Sequence, residues 1–477
     1  MHRIKSIRIK NRVKFLLLVV FVCLPIIISI GVITDNWKAE KVITEEEQSS
    51  VSVKKFGAIG DGVTNDTEAF QAALNYSSNK KKLILPKGIY VIDFLTFPKN
   101  VKLEGEKGSM IVASEKTYSR FISLSGKNIE IRNVKISGEN RRSIALSIVS
   151  GSQNVIVDSC TISNINSTEP ETTAGIKVEG NTKDVFMRNN TIDGIGNTPN
   201  GKVGDNSGAS RGIWIGKEST EVEPENIIID QNVIRNIQTR EDGDGISVQG
   251  WSGNVHVIIM NNFFEFCSKR AIKIMSPGVL VKSNKIMNYY THASDYEKVM
   301  YSFISIYASD VIVEENQLLG GNAYHGIDIG TDLIKTPKRI NVKNNVIVFS
   351  ENGIKTFLGG IVLYTNAEEV YLSGNTIKNS NNGINLQKKI KGCIITSNYI
   401  TNVSERGIII SNVEYKNISD VEILNNYIYS MKEAILLQAG ESVVKGNSGR
   451  TSSNEWSFIS ISGTAEALLQ GNIRIFN

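Results

Sequence analysis

Val185-Phe186-Met187-Arg188-Asn189-Asn190-Thr191-Ile192 reads apolar-x-apolar-x-x-Asn-x-apolar, and the pattern returns down the chain. Further copies centre on Asn232, Asn262, Asn284, Asn316, Asn345, Asn375, Asn398 and Asn426, with weaker ones on Asn447 and Asn472. The mean interval is about 28 residues, and a short strand, a tight turn and a second strand at that period describe one coil of a parallel β-helix. Two earlier copies lack the Asn: Val134 replaces it between Ile129 and Ile136, and Cys160 between Val155 and Ile162. Asn suits the position because it tolerates the left-handed backbone of a tight turn. Its amide can also bond to the Asn one coil away. Such a ladder locates turns and carries no chemistry.

A second signature, small-Ile-x-apolar, accompanies the first. It appears as Gly175-Ile176-Lys177-Val178, Gly212-Ile213-Trp214-Ile215, Gly245-Ile246-Ser247-Val248 and Ala271-Ile272-Lys273-Ile274. It recurs from Gly326, Gly383, Gly407 and Ala434, and Phe303-Ile304-Ser305-Ile306 is a variant. The two apolar residues are two apart and face the coil interior, so the residue between them faces outward, toward solvent. The chain is therefore predicted to be all-β, a solenoid of about 12–13 coils.

Residues 15–33 are almost wholly apolar and follow Arg3, Lys5, Arg8, Lys10, Arg12 and Lys14. At ~1.5 Å per residue this stretch nearly spans a bilayer core. The cations place the amino terminus in the cytoplasm and the body outside. A membrane anchor and a cleaved signal peptide, with a small-x-small site at Ser29-Ile30-Gly31, both predict export. Setting those six cations aside turns the net charge of +5 into −1, so the body shows no bias toward nucleic acid. Residues 34–52, with Glu45-Glu46-Glu47, read as a solvated linker, and the β-helix domain is expected over 53–477. Cys23 lies in the apolar stretch. Cys160, Cys267 and Cys393 are far apart, lack metal spacing and are expected as buried thiols.

An open solenoid end exposes strand edges and apolar interior, so it needs a cap, expected over 53–118. Asn65 with Glu68 has the pattern of a capping box, and Phe70, Ala73 and Leu74 share one face of the helix that would follow. Here Val53-Lys54-Lys55-Phe56-Gly57-Ala58-Ile59-Gly60-Asp61-Gly62-Val63-Thr64-Asn65-Asp66-Thr67 and Leu85-Pro86-Lys87-Gly88-Ile89-Tyr90 resemble the opening motif of the pectate lyase superfamily. That superfamily holds polygalacturonases, rhamnogalacturonases, polysaccharide lyases, uronate epimerases and phage tailspikes. The resemblance extends over roughly residues 53–477 and implies a right-handed parallel β-helix that handles polysaccharide. It marks the cap and the first coil and leaves the reaction open.

Coils stack at ~4.8 Å, so outward residues form columns across which a polymer can lie. Aligned on the small-Ile-x-apolar strands, one column reads Ala174, Arg211, Asp244, Arg270, Ser302, His325 and Gly359. The other reads Lys177, Trp214, Ser247, Lys273, Ser305, Asp328 and Val362. Charged and aromatic groups concentrate between Arg211 and Asp328, beside the insertions 194–210, 217–225 and 288–300. The expected catalytic set is Asp242, Asp244, Arg270, Lys273, Tyr307, His325 and Asp328. Arg211, Trp214, Lys269, Tyr301 and Tyr324 are expected to bind substrate. Trp214 is read as a sugar platform, whereas Lys177 and Glu179 are read as a solvated face. Acids and bases on adjacent coils, Asp244 and Arg270 included, have an alternative reading as surface ion ladders.

Three chemistries compete. Elimination from a uronic acid needs its carboxylate neutralised, by Arg270, Lys269 or Lys273, and a base for the C5 proton, from Lys273, Tyr307 or His325. Epimerisation starts the same way and returns the proton on the other face, which suits a Tyr–His pair. Inverting hydrolysis needs two carboxylates ~6.5–9.5 Å apart. Asp242 and Asp244 are candidates for it, while Asp244 and Asp328, three coils apart at ~14 Å, are too distant. Against the polygalacturonase pattern, Arg270-Ala271-Ile272-Lys273 and Tyr324-His325-Gly326 stand in reverse order, and no Asp-Asp pair is present. Asp242, Asp244 and Arg270 are similar to the Ca²⁺-binding acids and adjacent Arg of pectate lyases, making Ca²⁺ a candidate cofactor. A non-catalytic glycan-binding or envelope-structural solenoid is the alternative outside enzymology.

Overall fold

The computed structural model describes residues 50–78, 82–116, 118–169, 171–197, 208–218, 220–238, 242–288, 300–320, 323–330, 336–351, 359–411 and 418–475. Two sheets of 16 strands and one of 14 run the length of the domain, and every pairing is parallel. The chain visits the three sheets in turn and forms a right-handed parallel β-helix. These strands exceed the twelve or thirteen coils expected. The reason lies in residues 53–118: they carry neither repeat signature, yet Lys82–Leu85, Gly88–Ile92, Leu95–Phe97, Lys102–Gly105 and Ser109–Ala113 all join the sheets. The domain also starts earlier than residue 53, because Val51 and Ser52 pair with Leu83 and Ile84.

The Asn ladder runs unbroken from Asn190 to Asn472. The backbone N–H and side-chain amide of Asn190 both donate to Asn232 Oδ1 at 3.0 Å, and the amide also reaches the Val157 carbonyl at 2.9 Å. The same bonds repeat through Asn316 to Asn345 and end at Asn447 to Asn472. Every amide is thus satisfied inside the wall. The left-handed residue is not the ladder Asn but the one before it, as at Asn189, Gln231, Ser283 and Glu315. Asn133 and Ser159 hold that conformation before Val134 and Cys160, so the turn survives where the ladder does not.

The small residue of the second signature has a steric cause. A Cβ at Gly212 would lie 2.5 Å from the Gly245 carbonyl and 2.7 Å from Ile234 Cγ2. Gly212 lies inside the Ala209–Gly216 strand, and the next coil's backbone leaves no room there. The Ile and Val columns are buried along the interior, and Cys160, Cys267 and Cys393 are buried among them as free thiols. Burial pushes the Cys160 and Cys393 thiols up to about 12.

A helix, Thr67–Ser77, closes the first coil with Phe70, Ala73 and Leu74 buried. The expected capping box does not form. Asn65 Oδ1 accepts from the Thr67 N–H and hydroxyl, and the Asp66 carboxylate accepts from Ile59 and Gly60 N–H groups. The helix start is therefore tied back to the preceding turn. Residues 1–49, which hold the segment 15–33 and most of the linker, lie outside the described residues. Among the described residues, no helix is long and apolar enough to cross a membrane.

Candidate active site

The third sheet carries the two polar columns, in the register that the strand alignment predicts. Arg211 pairs with Asp244, Asp244 with Arg270, Arg270 with Ser302, and Ser302 with His325. Beside them Trp214, Ser247, Lys273, Ser305 and Asp328 follow one another. These columns do not face open solvent as expected. Lys177, Ser247, Ser305 and Asp328 are buried. At this spacing the outward side chains pack and pair with one another.

Five charged groups converge at the centre. Arg270 Nη1 lies 3.3 Å from Asp242 Oδ1 and 3.3 Å from Asp244 Oδ1. Lys273 Nζ lies 3.0 Å from Asp242 Oδ1, and Arg211 pairs with both carboxylates, at 3.1 Å from Asp244 Oδ2. The Asp244–Arg270 ladder thus forms, but not at the surface: the Asp244 side chain has no exposed area, whereas Asp242 keeps 30%. Burial opposes the Asp242 charge, but Arg211 and Lys273 outweigh it and hold the carboxyl well below the usual range. Burial likewise works to lower Arg270, and Asp244, with Tyr307, Asp328 and Asp242, raises it instead. Three cationic side chains thus face two carboxylates.

Arg270 links this cluster to the next coils. Its Nε donates to Ser305 Oγ at 3.0 Å, and that hydroxyl donates to Asp328 Oδ1 at 2.5 Å. The other oxygen of Asp328 is buried without a hydrogen-bond partner among the described residues. Nη2 of Arg270 reaches the Tyr307 hydroxyl at 3.5 Å. The guanidinium lies 5.1 Å from the Tyr301 ring centre, and Tyr301 meets His325 edge to face at 5.2 Å. Lys269 approaches the same ring at 5.6 Å. Burial pushes the Tyr301 and Tyr307 phenols up, so both hold their protons.

The structure therefore brings Asp242, Asp244, Arg211, Arg270 and Lys273 together, and joins Tyr301, Tyr307, His325, Asp328 and Lys269 to them. Trp214 stands aside: the Lys177 ammonium covers its ring at 4.3 Å, so one face of the expected platform is already taken. Tyr324 belongs to the Ala323–Ile329 strand, and its side chain lies outside the described residues. Ser305 is the group that sequence reasoning left without a role. Its place in the second column between Lys273 and Asp328 was the available signal. Lys177 and Glu179, expected as a solvated face, are instead 1% and 4% exposed. Glu218, brought over by the segment after the Ala209–Gly216 strand, pairs with Lys177 and seals it.

The Asp242–Asp244 pair fits inverting hydrolysis poorly. Asp242 Oδ1 and Asp244 Oδ1 each lie 3.3 Å from one nitrogen, so they are separated by at most twice that distance. That is the short limit of the ~6.5–9.5 Å needed for inversion, and Asp244 is sealed. A divalent cation fits no better, because three cationic side chains already hold both carboxylates. Among the described residues no cluster of three or more His, Cys, Asp or Glu could hold a metal ion.

Comparison with known proteins gives three kinds of likeness. A family model described as "Rhamnogalacturonase A/epimerase, pectate lyase-like" matches residues 50–294. A probable glucan endo-1,3-beta-glucosidase of Arthroderma benhamiae is 40% identical over 70 residues, 14% of this chain and only 8% of that protein. PfbA, a surface adhesin of Streptococcus pneumoniae, superposes with a TM-score of 0.63 at 17% identity, covering 77% of this chain and 93% of that one. The tailspike of E. coli bacteriophage HK620, solved in complex with a pentasaccharide, gives 0.50 at 12% identity, over 88% of this chain and 78% of that one. At such identities the two solved structures share the fold alone. The family match is of another kind, since it spans the cap, the first coils and the strands of the central ion cluster over more than half the sequence; the chain belongs to the pectate lyase-like rhamnogalacturonase A/epimerase family.

Proposed function

We propose that this chain is an exported enzyme that acts on a uronic-acid-containing polysaccharide, by elimination or epimerisation, at the Arg270 cluster. One observation carries the reading: three cations outnumber two carboxylates at a point flanked by two proton-holding phenols and an imidazole on successive coils. Arg270 and Lys273 neutralise the substrate carboxylate, which stabilises the charge that develops as C5 loses its proton. His325 takes that proton. In elimination the C5–H electron pair forms the C4–C5 double bond, the C4–O4 bond breaks, and Tyr307 or Tyr301 protonates the leaving oxygen. In epimerisation the phenol instead returns a proton to the opposite face of C5. Export rests on the apolar stretch 15–33 behind six cations. A carboxyl-terminal reporter active only in the cytoplasm would refute it.

A glycan-binding role without catalysis has one observation in its favour, the depth at which Asp244, His325 and Asp328 lie. Purified full chain incubated with polyuronates separates the readings. Elimination raises the ultraviolet absorbance of unsaturated products, and epimerisation exchanges the C5 proton with deuterated solvent. Arg270→Ala and Lys273→Ala abolish the signal if the cluster is catalytic. Full activity in Arg270→Ala, Lys273→Ala and His325→Ala on a confirmed substrate would place the site on another face.

A further inference from the structure

A second charged cluster stands earlier on the same two columns. Lys177 precedes Lys273 by three coils, through Trp214 and Ser247, a distance of ~14 Å at the strand spacing. A buried ammonium requires a counter-ion. Glu218 supplies it: its carboxylate bonds to Lys177 Nζ and lies 2.7 Å from Arg120 Nη2. Yet the Glu218 side chain is 42% exposed and sits on a connecting segment. Glu179 is fixed by contrast, accepting from the Ser150 N–H at 3.1 Å and lying 3.0 Å from Arg120 Nη1. Burial and then Glu218 raise its pKa, which makes it the poorer counter-ion. Trp214 closes the other side, and its buried Nε1 has no hydrogen-bond partner among the described residues.

We propose that Arg120, Lys177 and Trp214 form a carboxylate-binding subsite for one uronate unit of a polysaccharide, and that Glu218 occupies it in the ligand-free protein. The choice of ligand rests on the polyuronate reading above, but the subsite requires no chemistry at Arg270. An incoming carboxylate replaces Glu218 at both cations, so Lys177 never loses its counter-ion. The displaced Glu218 regains water, and a sugar hydroxyl can accept from Trp214 Nε1. The exchange is between like anions, so the charge balance at Lys177 is kept. With carboxylate readers three coils apart, the preferred ligand is an oligomer long enough to reach both.

Titration calorimetry on the full chain tests this, with hexamers of galacturonate, mannuronate and glucuronate and the same hexamers with carboxyls reduced to alcohols. Glu218→Ala tightens binding of at least one acidic hexamer by about threefold or more, since the internal competitor is gone. Arg120→Gln weakens it, as does Lys177→Met if that variant folds, and the reduced hexamers show no dependence on Glu218. Unchanged or weaker binding in Glu218→Ala and in Glu218→Gln alike overturns the proposal, since the amide still bonds to the ammonium but no longer competes as an anion. So does the absence of carboxylate-dependent binding in both wild type and Glu218→Ala. The two readings fail separately. Tighter binding in Glu218→Ala without any product would sink catalysis alone, and turnover lost in Arg270→Ala with binding indifferent to Glu218 would sink the subsite alone.

Discussion

Arg270 Nη1 lies 3.3 Å from Asp244 Oδ1, in a pair whose carboxylate has no exposed surface. Removing one partner of such a pair strands a charge away from water. Asp244→Ala leaves Arg270 and Arg211 sharing the partly exposed Asp242, and about 3–5 kcal/mol of stability is expected to go. Chemical denaturation of the purified variant measures it. A loss near that of an exposed pair, below ~1 kcal/mol, would mean that the cluster is wetter than its geometry indicates.

Asp242 sets a pH dependence. Its folded pKa is depressed, so its contribution to stability is complete above the unfolded value, near ~3.9, and is lost as pH falls toward the folded value. Melting temperatures of wild type and Asp242→Asn should differ at neutral pH and converge below about pH 4. Parallel curves down to pH 2 would show that Arg211 and Lys273 do not hold that carboxylate.

The Asn ladder is expected to be costly to interrupt. Asn316 Oδ1 accepts from the Asn284 N–H at 2.8 Å and from its amide at 3.0 Å, while its own amide donates to Val281 and Asn345. Asn316→Ala orphans these groups inside a dry wall, at about 3 kcal/mol or more. Hydrogen exchange should also quicken at Asn284, and protection unchanged there would count against a cooperative ladder.

Gly212 has no room for a methyl group, since its Cβ would meet the Gly245 carbonyl at 2.5 Å. Gly212→Ala should therefore destabilise by about 1–3 kcal/mol, through a backbone that cannot shift without moving the next coil. Ala occupies the equivalent place at Ala271 and Ala434, so the effect is local to the tighter strand contacts. A neutral result in thermal melting would contradict the close approach.

Register was legible because a solenoid repeats. Each rung's partner is the equivalent residue one repeat later, so Ser247 had to follow Trp214 and Lys273 had to follow Ser247. The cap strands before residue 118 were read as cover rather than coil because they lack both signatures, although they pair in the same sheets.

The sequence by itself determined the period, the turn that carries Asn190 to Asn472, the inward columns and the order of polar groups from Arg211 to Asp328. These follow from local pattern, since strand alternation and turn chemistry act over a few residues. Only the tertiary structure decided depth. Whether Lys177 lies open or sealed depends on Glu218, 41 residues further on. Whether Asp244 is a surface acid or a buried one depends on three cations that arrive from neighbouring coils. Burial is set by what lands on a side chain from elsewhere, and alternation reports only the direction in which that side chain leaves its strand.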